Sequence, residues 1–225
     1  MYAMTYSSKK KSKLIPAIKI ATALSISIFF IIASIKIGLN AKPLYSFDVN
    51  KLNITQSVNM NKATLMKNYD LLLSYINNRN ISVLALPDFP FSKDGLIHFK
   101  EVKNIFMNLD IVFYVTLILG ILGSIYCVKK AALSYIKWSS ILLIVIPIIL
   151  SIPFIINFNA SFIIFHKLAF SNNYWLLDPS TDPIINALPE AFFMHTAFLI
   201  LLCIVIFSVL LFTIYRILKK VMADD

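Results

Sequence analysis

Apolar residues gather into four long blocks, at residues 14–39, 109–128, 138–156 and 191–215. Each approaches or exceeds the roughly 20 residues that carry an α-helix across a hydrocarbon core of about 30 Å. The pattern therefore predicts four transmembrane helices. Pro147 and Pro153 fall inside the third block. Prolines are tolerated in a span, where they usually kink the helix. The first block follows a basic run, as a signal peptide does, but a signal core is only about 7–15 residues and ends at a small-residue cleavage site. This block is longer and no such site clearly follows, so it reads as a retained span.

Between the blocks lie two long polar stretches, residues 40–108 and 157–190. In the first, Leu44 to Val49 alternates loosely and reads as a strand, and Ile81 to Leu86 is a short β-like run stopped by Pro87 and Pro90. Leu65, Tyr69, Leu72, Leu73 and Ile76 recur at helical spacing, so Asn61 to Ile76 reads as a helix. Ser92 and Asp94 then offer N-caps for another helix. At 100° per residue, His98, Val102, Ile105, Phe106 and Leu109 share its apolar side, with Lys100 and Lys103 opposite. It reads as an interfacial amphipathic helix, or as the lead into the second span. The second stretch carries Phe158, Phe162, Phe165, Phe170, Tyr174 and Trp175, an aromatic belt of the kind found at headgroup depth. Thr181-Asp182-Pro183 marks a helix start with Asp182 as cap.

Charge fixes the orientation. The net charge is +10, which by itself could suggest nucleic acid. The basic residues cluster, however, at Lys9–Lys13, Lys129–Lys137 and Arg216–Lys220, each beside an apolar block. Clusters so placed are topology signals. They put the N-tail (1–13), the loop 129–137 and the C-tail (216–225) in the cytoplasm, and segments 40–108 and 157–190 outside. Two segments on one face can fold as one cap. The expected fold is an all-α membrane protein of four transmembrane helices with a small extracellular α+β cap, multi-pass in the cell membrane. Of 225 residues 59% are hydrophobic and 14% charged, with a mean hydropathy of +0.78. Soluble domains carry roughly 25% charge, so lipid is the natural solvent of the four blocks. Cys127 and Cys203 fall within apolar blocks and read as small buried residues.

The candidate chemistry is histidine chemistry. His98, His166 and His195 all fall on the outer side or just inside it. An imidazole titrates near physiological pH, so a pair can serve as base and acid. The plain alternative for each is a hydrogen-bonded structural residue. His98 and Glu101, at i and i+3, suit a carboxylate that orients an imidazole. A metal site is a rival reading, a membrane hydrolase using His98, His166 and His195 or Asp178, but local ligand pairs such as His-Glu-x-x-His are absent. Asp178 before Pro179 is equally a turn residue. Arg79 and Lys103 could meet lipid phosphate, though most interfacial basic residues merely face headgroups. A third reading is a non-enzymatic scaffold or sensor whose cap binds a partner.

Three stretches carry a resemblance. LPDFPFSKDGLIHFKEVKNIF (Leu86 to Phe106), FHKLAFSNNYWLLDPSTDPIINALPEAFF (Phe165 to Phe193) and NYDLLLSYI (Asn68 to Ile76) are similar to segments of bacterial lipoprotein intramolecular transacylases. Between the serine and the histidine the family usually has charged residues in an order like Glu-Arg-Glu, where this sequence has Lys93, Asp94 and Gly95. The resemblance implies a diacylated lipoprotein substrate in membrane lipid, with no nucleic acid and no cofactor. The sn-2 acyl chain would move from glycerol to the α-amino group of the N-terminal cysteine, giving lyso-form lipoprotein. It implies His98 and His166 as the catalytic pair, and Tyr69, Phe165, Phe170, Tyr174 and Trp175 as substrate-binding. Glu101, Lys103 and Asp178 would support them. His195 matches no motif of the resemblance, so the resemblance carries no role onto it.

Overall fold

The computed structural model describes residues 14–224; the basic N-tail (1–13) and Asp225 lie outside the described residues. Nine helices are found among those described: α1 (Leu14–Leu39), α2 (Lys42–Lys51), α3 (Ile54–Ser57), α4 (Lys62–Asn77), α5 (Lys93–Lys129), α6 (Ser134–Ile156), α7 (Phe158–Ala169), α8 (Ile184–Ala187) and α9 (Glu190–Asp224). Four of them, α1, α5, α6 and α9, are long and apolar enough to cross a membrane.

In lipid the hydrophobic effect does not press helices together, so close packing and hydrogen bonds must. Helix α1 packs against all three other spans. It approaches α5 where the facing residues are small: a Cβ on Gly123 would lie 2.1 Å from Thr22 Oγ1, and one on Gly120 3.2 Å from Ile26 Cγ1. Ser27 Oγ donates to the Ser139 carbonyl at 3.0 Å, joining α1 to α6. Ser208 Oγ donates to the Ser140 carbonyl at 2.8 Å, joining α9 to α6. Lys36 and Asp110 form an ion pair between α1 and α5.

The two polar stretches share one core. Tyr45 of α2, Leu72 of α4, Phe89, Phe99 of α5 and Ile184 of α8 belong to a single buried cluster that also takes in Phe192 of α9. Asn61 caps α4 by accepting from the Thr64 N–H at 2.9 Å.

The cap is helical rather than α+β: no strand is found among the described residues. Leu44 to Val49 lies in α2. Pro43 stands in its first turn, where its fixed φ suits a helix. Its buried residues, Tyr45, Asp48 and Val49, fall at i, i+3 and i+4. Residues 81–86 keep the alternation of a strand, with Leu84 and Leu86 buried and Val83 and Ala85 exposed, but no partner strand lies beside them. The Ile81 carbonyl takes a lysine ammonium, from Lys103, in place of a ladder bond.

Helix α5 runs unbroken for 37 residues, about 55 Å at 1.5 Å per residue. That is well beyond the ~30 Å of hydrocarbon. Its apolar part begins near Leu109, so the turns that hold His98 project past the span. Two residues fix this projecting end. Ser92 Oγ accepts from the Gly95 N–H at 2.9 Å. Asp182, only 2% exposed, accepts from the Ser92 N–H at 2.8 Å. Asp182 therefore does not cap its own helix α8, whose N-cap is Pro183. Its carboxylate sits instead at the positive end of the α5 dipole. A Cβ on Gly95 would lie 2.1 Å from Asp182 Oδ1, so this junction needs glycine.

Candidate active site

His98 is the sixth residue of α5 and His166 lies in the last turn of α7. Helix α7 begins immediately after α6, with Asn157 as N-cap accepting from the Ala160 N–H at 3.0 Å. The aromatic belt of the sequence is thus ordered on a helix: Phe158, Phe162, Phe165 and His166 recur at i, i+4, i+7 and i+8. That period was present in the sequence, beneath the aromatic composition.

The two histidine rings lie with centroids 6.0 Å apart. Aromatic rings surround them. Phe170 packs edge-on against His98 at 4.9 Å and also meets His166 at 5.7 Å. Phe162, Phe165 and Trp175 lie 4.3, 5.4 and 5.0 Å from His166. His166 Nδ1 is 2.7 Å from the Phe162 carbonyl. A carbonyl only accepts, so Nδ1 carries the proton of a neutral ring and the Nε2 lone pair is left available. His98 Nδ1 is buried and has no hydrogen-bond partner among the described residues.

Both rings favour the neutral form. Burial, assisted by the nearby His166, lowers the His98 pKa from 6.5 to about 4. Burial also lowers that of His166, partly opposed by the Phe162 carbonyl. The site is therefore two neutral imidazoles in an apolar, aromatic enclosure at the junction of cap and spans.

Comparison with known proteins decides what kind of enzyme this is. The model of the family described as lipoprotein intramolecular transacylase Lit matches residues 20–193. The chain belongs to that family. The membrane-integral lipoprotein intramolecular transacylase Lit from Bacillus cereus is 39% identical, with a TM-score of 0.91 over 94% of this chain and 99% of that one. Two further structures of the Bacillus cereus protein, with a histidine replaced by arginine or by alanine, match with TM-scores of 0.86 and 0.88. A search among curated proteins gave no match. The chain is thus an integral membrane acyltransferase, a lipoprotein intramolecular transacylase.

Around the histidines of the transacylase, the other expected residues divide. Phe165 (50% exposed), Phe170 and Trp175 join the ring cluster. Tyr174 is exposed, and its N–H donates to Asn172 Oδ1 at 3.0 Å. Tyr69 lies in the cap core, 3.9 Å from the Tyr45 ring, and its hydroxyl donates to the Leu39 carbonyl at 3.2 Å.

Glu101 does not orient His98. Its Oε1 accepts from Asn172 Nδ2 at 2.7 Å, because the chain after α7 brings Asn172 to that face of α5. Lys103, placed on the polar side by helical spacing, is buried. Its ammonium donates to the carbonyls of Asn78, at 2.8 Å, and Ile81, and lies 4.5 Å from the Tyr75 ring centroid. These carbonyls follow the C-terminus of α4, where a cation is favoured. Asp178 closes a turn: the Ser180 N–H and hydroxyl donate to it at 2.8 and 2.7 Å and hold its carboxyl below the usual range.

His195 is paired elsewhere. Its Nδ1 lies 2.7 Å from Asp48 Oδ1, and Asp48 is fully buried. The pair joins α9 to α2. Among the described residues, no three His, Cys, Asp or Glu side chains come together in a way that could hold a metal. Asp48, Asn172 and Asp182 were not singled out as partners by sequence reasoning, since each acts across a tertiary contact that no local spacing announces.

Proposed function

We propose that the transacylase moves the sn-2 acyl chain of a diacylglyceryl lipoprotein to the α-amino group of its N-terminal cysteine, with His166 and His98 carrying the chemistry. The observation that carries this reading is the pair itself: two neutral imidazoles, centroids 6.0 Å apart, with the His166 tautomer set by the Phe162 carbonyl.

The α-amine attacks the ester carbonyl. A bond forms between nitrogen and the acyl carbon, and the bond from that carbon to the glyceryl oxygen breaks. One proton must travel from nitrogen to oxygen. His166 Nε2 takes it from the amine and returns it to the departing glyceryl oxygen. His98, as neutral imidazole, donates from Nδ1 to the carbonyl oxygen as charge develops there. A neutral donor suits a buried site, where imidazolium is penalised. Donor and acceptor groups belong to one molecule, so holding them together can supply roughly 7–11 kcal/mol of the barrier. Phe165, Phe170 and Trp175 would confine the folded substrate and exclude water.

The basic clusters at Lys129–Lys137 and Arg216–Lys220 support cytoplasmic termini and an extracellular cap. The reaction would then occur at the outer leaflet, where diacylated lipoproteins are anchored in lipid.

Expression in a bacterium lacking lipoprotein N-acylation tests the reading. Mass spectrometry of a lipoprotein N-terminal peptide should show an N-acyl, S-monoacylglyceryl species of unchanged total mass. An unmodified diacylglyceryl peptide beside well-folded enzyme would contradict it.

A further inference from the structure

Glu101 stands one turn after His98 on α5, on a neighbouring part of the helix surface. One carboxylate oxygen, Oε1, is occupied by Asn172 at 2.7 Å. The other, Oε2, is shut away from solvent and has no hydrogen-bond partner among the described residues. Among the described residues, no basic side chain pairs with it. The nearest candidate in sequence among buried cations, Lys103, is spent on the Asn78 and Ile81 carbonyls. The ion pairs found among the described residues are Lys36–Asp110, Lys42–Asp70 and His195–Asp48. A carboxylate oxygen removed from water without a donor or cation is costly, so such a group calls for a positive partner from outside.

The group is also firmly aimed. Asn172 is held by the Tyr174 N–H on its Oδ1 at 3.0 Å, and its carbonyl accepts from Trp175 Nε1 at 3.1 Å. Trp175 in turn lies against His166. Glu101 is therefore fixed to the same loop that walls the histidine pair.

We infer that Glu101 is the binding residue for the substrate's α-amino group, through its unpartnered Oε2. This rests on the proposed amine-acceptor chemistry and names the group that holds the amine. A free N-terminal amine has a pKa near 8, so it reaches the site largely as ammonium, the cation that Glu101 lacks. Once the ammonium has released one proton to solvent, the neutral amine has two N–H groups, one whose proton passes through His166 to the glyceryl oxygen and one that stays on Oε2. The placement puts the acceptor for the amine and the His98 donor for the carbonyl oxygen one helical turn apart, as the two reacting groups require. It also favours release. The product amide carries no charge, so Glu101 holds it less strongly than the substrate.

Glu101→Gln tests this in the purified full chain. Glutamine keeps an oxygen for Asn172 but presents an amide N–H₂ where Oε2 stood. For a synthetic diacylglyceryl lipopeptide, KM should rise about ten-fold or more, with kcat changed far less. The inhibition constant of the same lipopeptide with an acetylated amine should not move, because that ligand has no ammonium to lose. An unchanged KM would overturn the inference, as would equal weakening of both ligands, which is the signature of a carboxylate that only braces Asn172 and Trp175. Asn172→Ala supplies that structural signature for comparison. If Glu101→Gln fails to fold, wild type alone decides: the free-amine lipopeptide should bind more tightly than its acetylated analogue, and equal affinity would overturn the inference. Wild type that transfers no acyl chain would overturn the proposed function itself, a different result from an active variant with unchanged KM.

Discussion

His166 donates from Nδ1 to the carbonyl of Phe162, one turn earlier in α7, at 2.7 Å. The bond does two things at once. It fixes the ring against the helix, and it leaves Nε2 as the only basic nitrogen. Loss of that nitrogen should be felt in the chemical step. His166→Ala is expected to lower kcat by about 10²–10⁴, the usual worth of a positioned acid/base. The check is single-turnover kinetics with a diacylglyceryl lipopeptide, beside thermal unfolding to confirm the fold.

The depressed histidine pKa values set the pH dependence. In the proposed reaction both rings act as neutral species, so activity should fall when they protonate. The substrate amine, with a pKa near 8, must lose its proton, which gives log(kcat/KM) a slope near one below that value. An ordinary histidine would steepen this slope at about 6.5. With His98 lowered to about 4 and His166 also lowered, steepening is expected only below 6.5. A pH–rate profile from 5 to 9 reads this directly, and a second break near 6.5, in addition to that of the amine near 8, would count against two buried neutral rings.

The same shift has a stability consequence. The folded pKa of His98 lies below its unfolded value, so protons favour the unfolded chain. The stabilisation is fully present above pH 6.5 and is lost as pH falls through about 4. The melting temperature should therefore decline across that window, and His98→Phe should flatten the decline. Parallel curves for the two proteins would contradict it.

Asp182 and Gly95 form a junction that can be tested by coupling. Gly95→Ala places a methyl against Asp182 Oδ1, an overpacking of the sort that costs about 1–3 kcal/mol. Asp182→Ala removes the acceptor for the Ser92 N–H. In the double variant the clash has no second partner, so the combined loss should be smaller than the sum. Additive losses would mean that the two residues act independently.

His195 should prove structural. Removing its imidazole leaves the buried carboxylate of Asp48 without its partner, a change worth up to about 3–5 kcal/mol. His195→Ala is thus expected to lower the melting temperature while the folded fraction retains near-normal specific activity. A stable but inactive variant would place His195 in the chemistry.

Much of this was legible in the sequence for identifiable reasons. Lipid leaves little choice but long apolar helices, so the four spans and the basic flanks could be read from composition. The helical spacing of Leu65 to Ile76 announced α4, and Ser92 announced the start of α5 because N-capping is local. The His98 and His166 stretches carried the family resemblance. What escaped was tertiary. Leu44 to Val49 and Ile81 to Leu86 showed strand-like patterns, but a strand needs a partner, and here α4 and the Lys103 ammonium took that place. Lys103 looked solvent-facing because helical phase alone cannot show the Asn78 and Ile81 carbonyls folding over it. Glu101 looked like a brace for His98 until Asn172, 71 residues later, was seen to occupy one of its oxygens.

The measurement that bears most directly on the paired histidines uses purified enzyme and a lipopeptide whose sn-2 acyl chain alone is deuterated. Tandem mass spectrometry then locates the label. Wild type should carry it from the glyceryl group to the cysteine nitrogen within a molecule of unchanged mass, and folded His98→Ala and His166→Ala should leave it on glycerol. Label that still reaches nitrogen at the wild-type rate in either variant would contradict the pair as the seat of the chemistry.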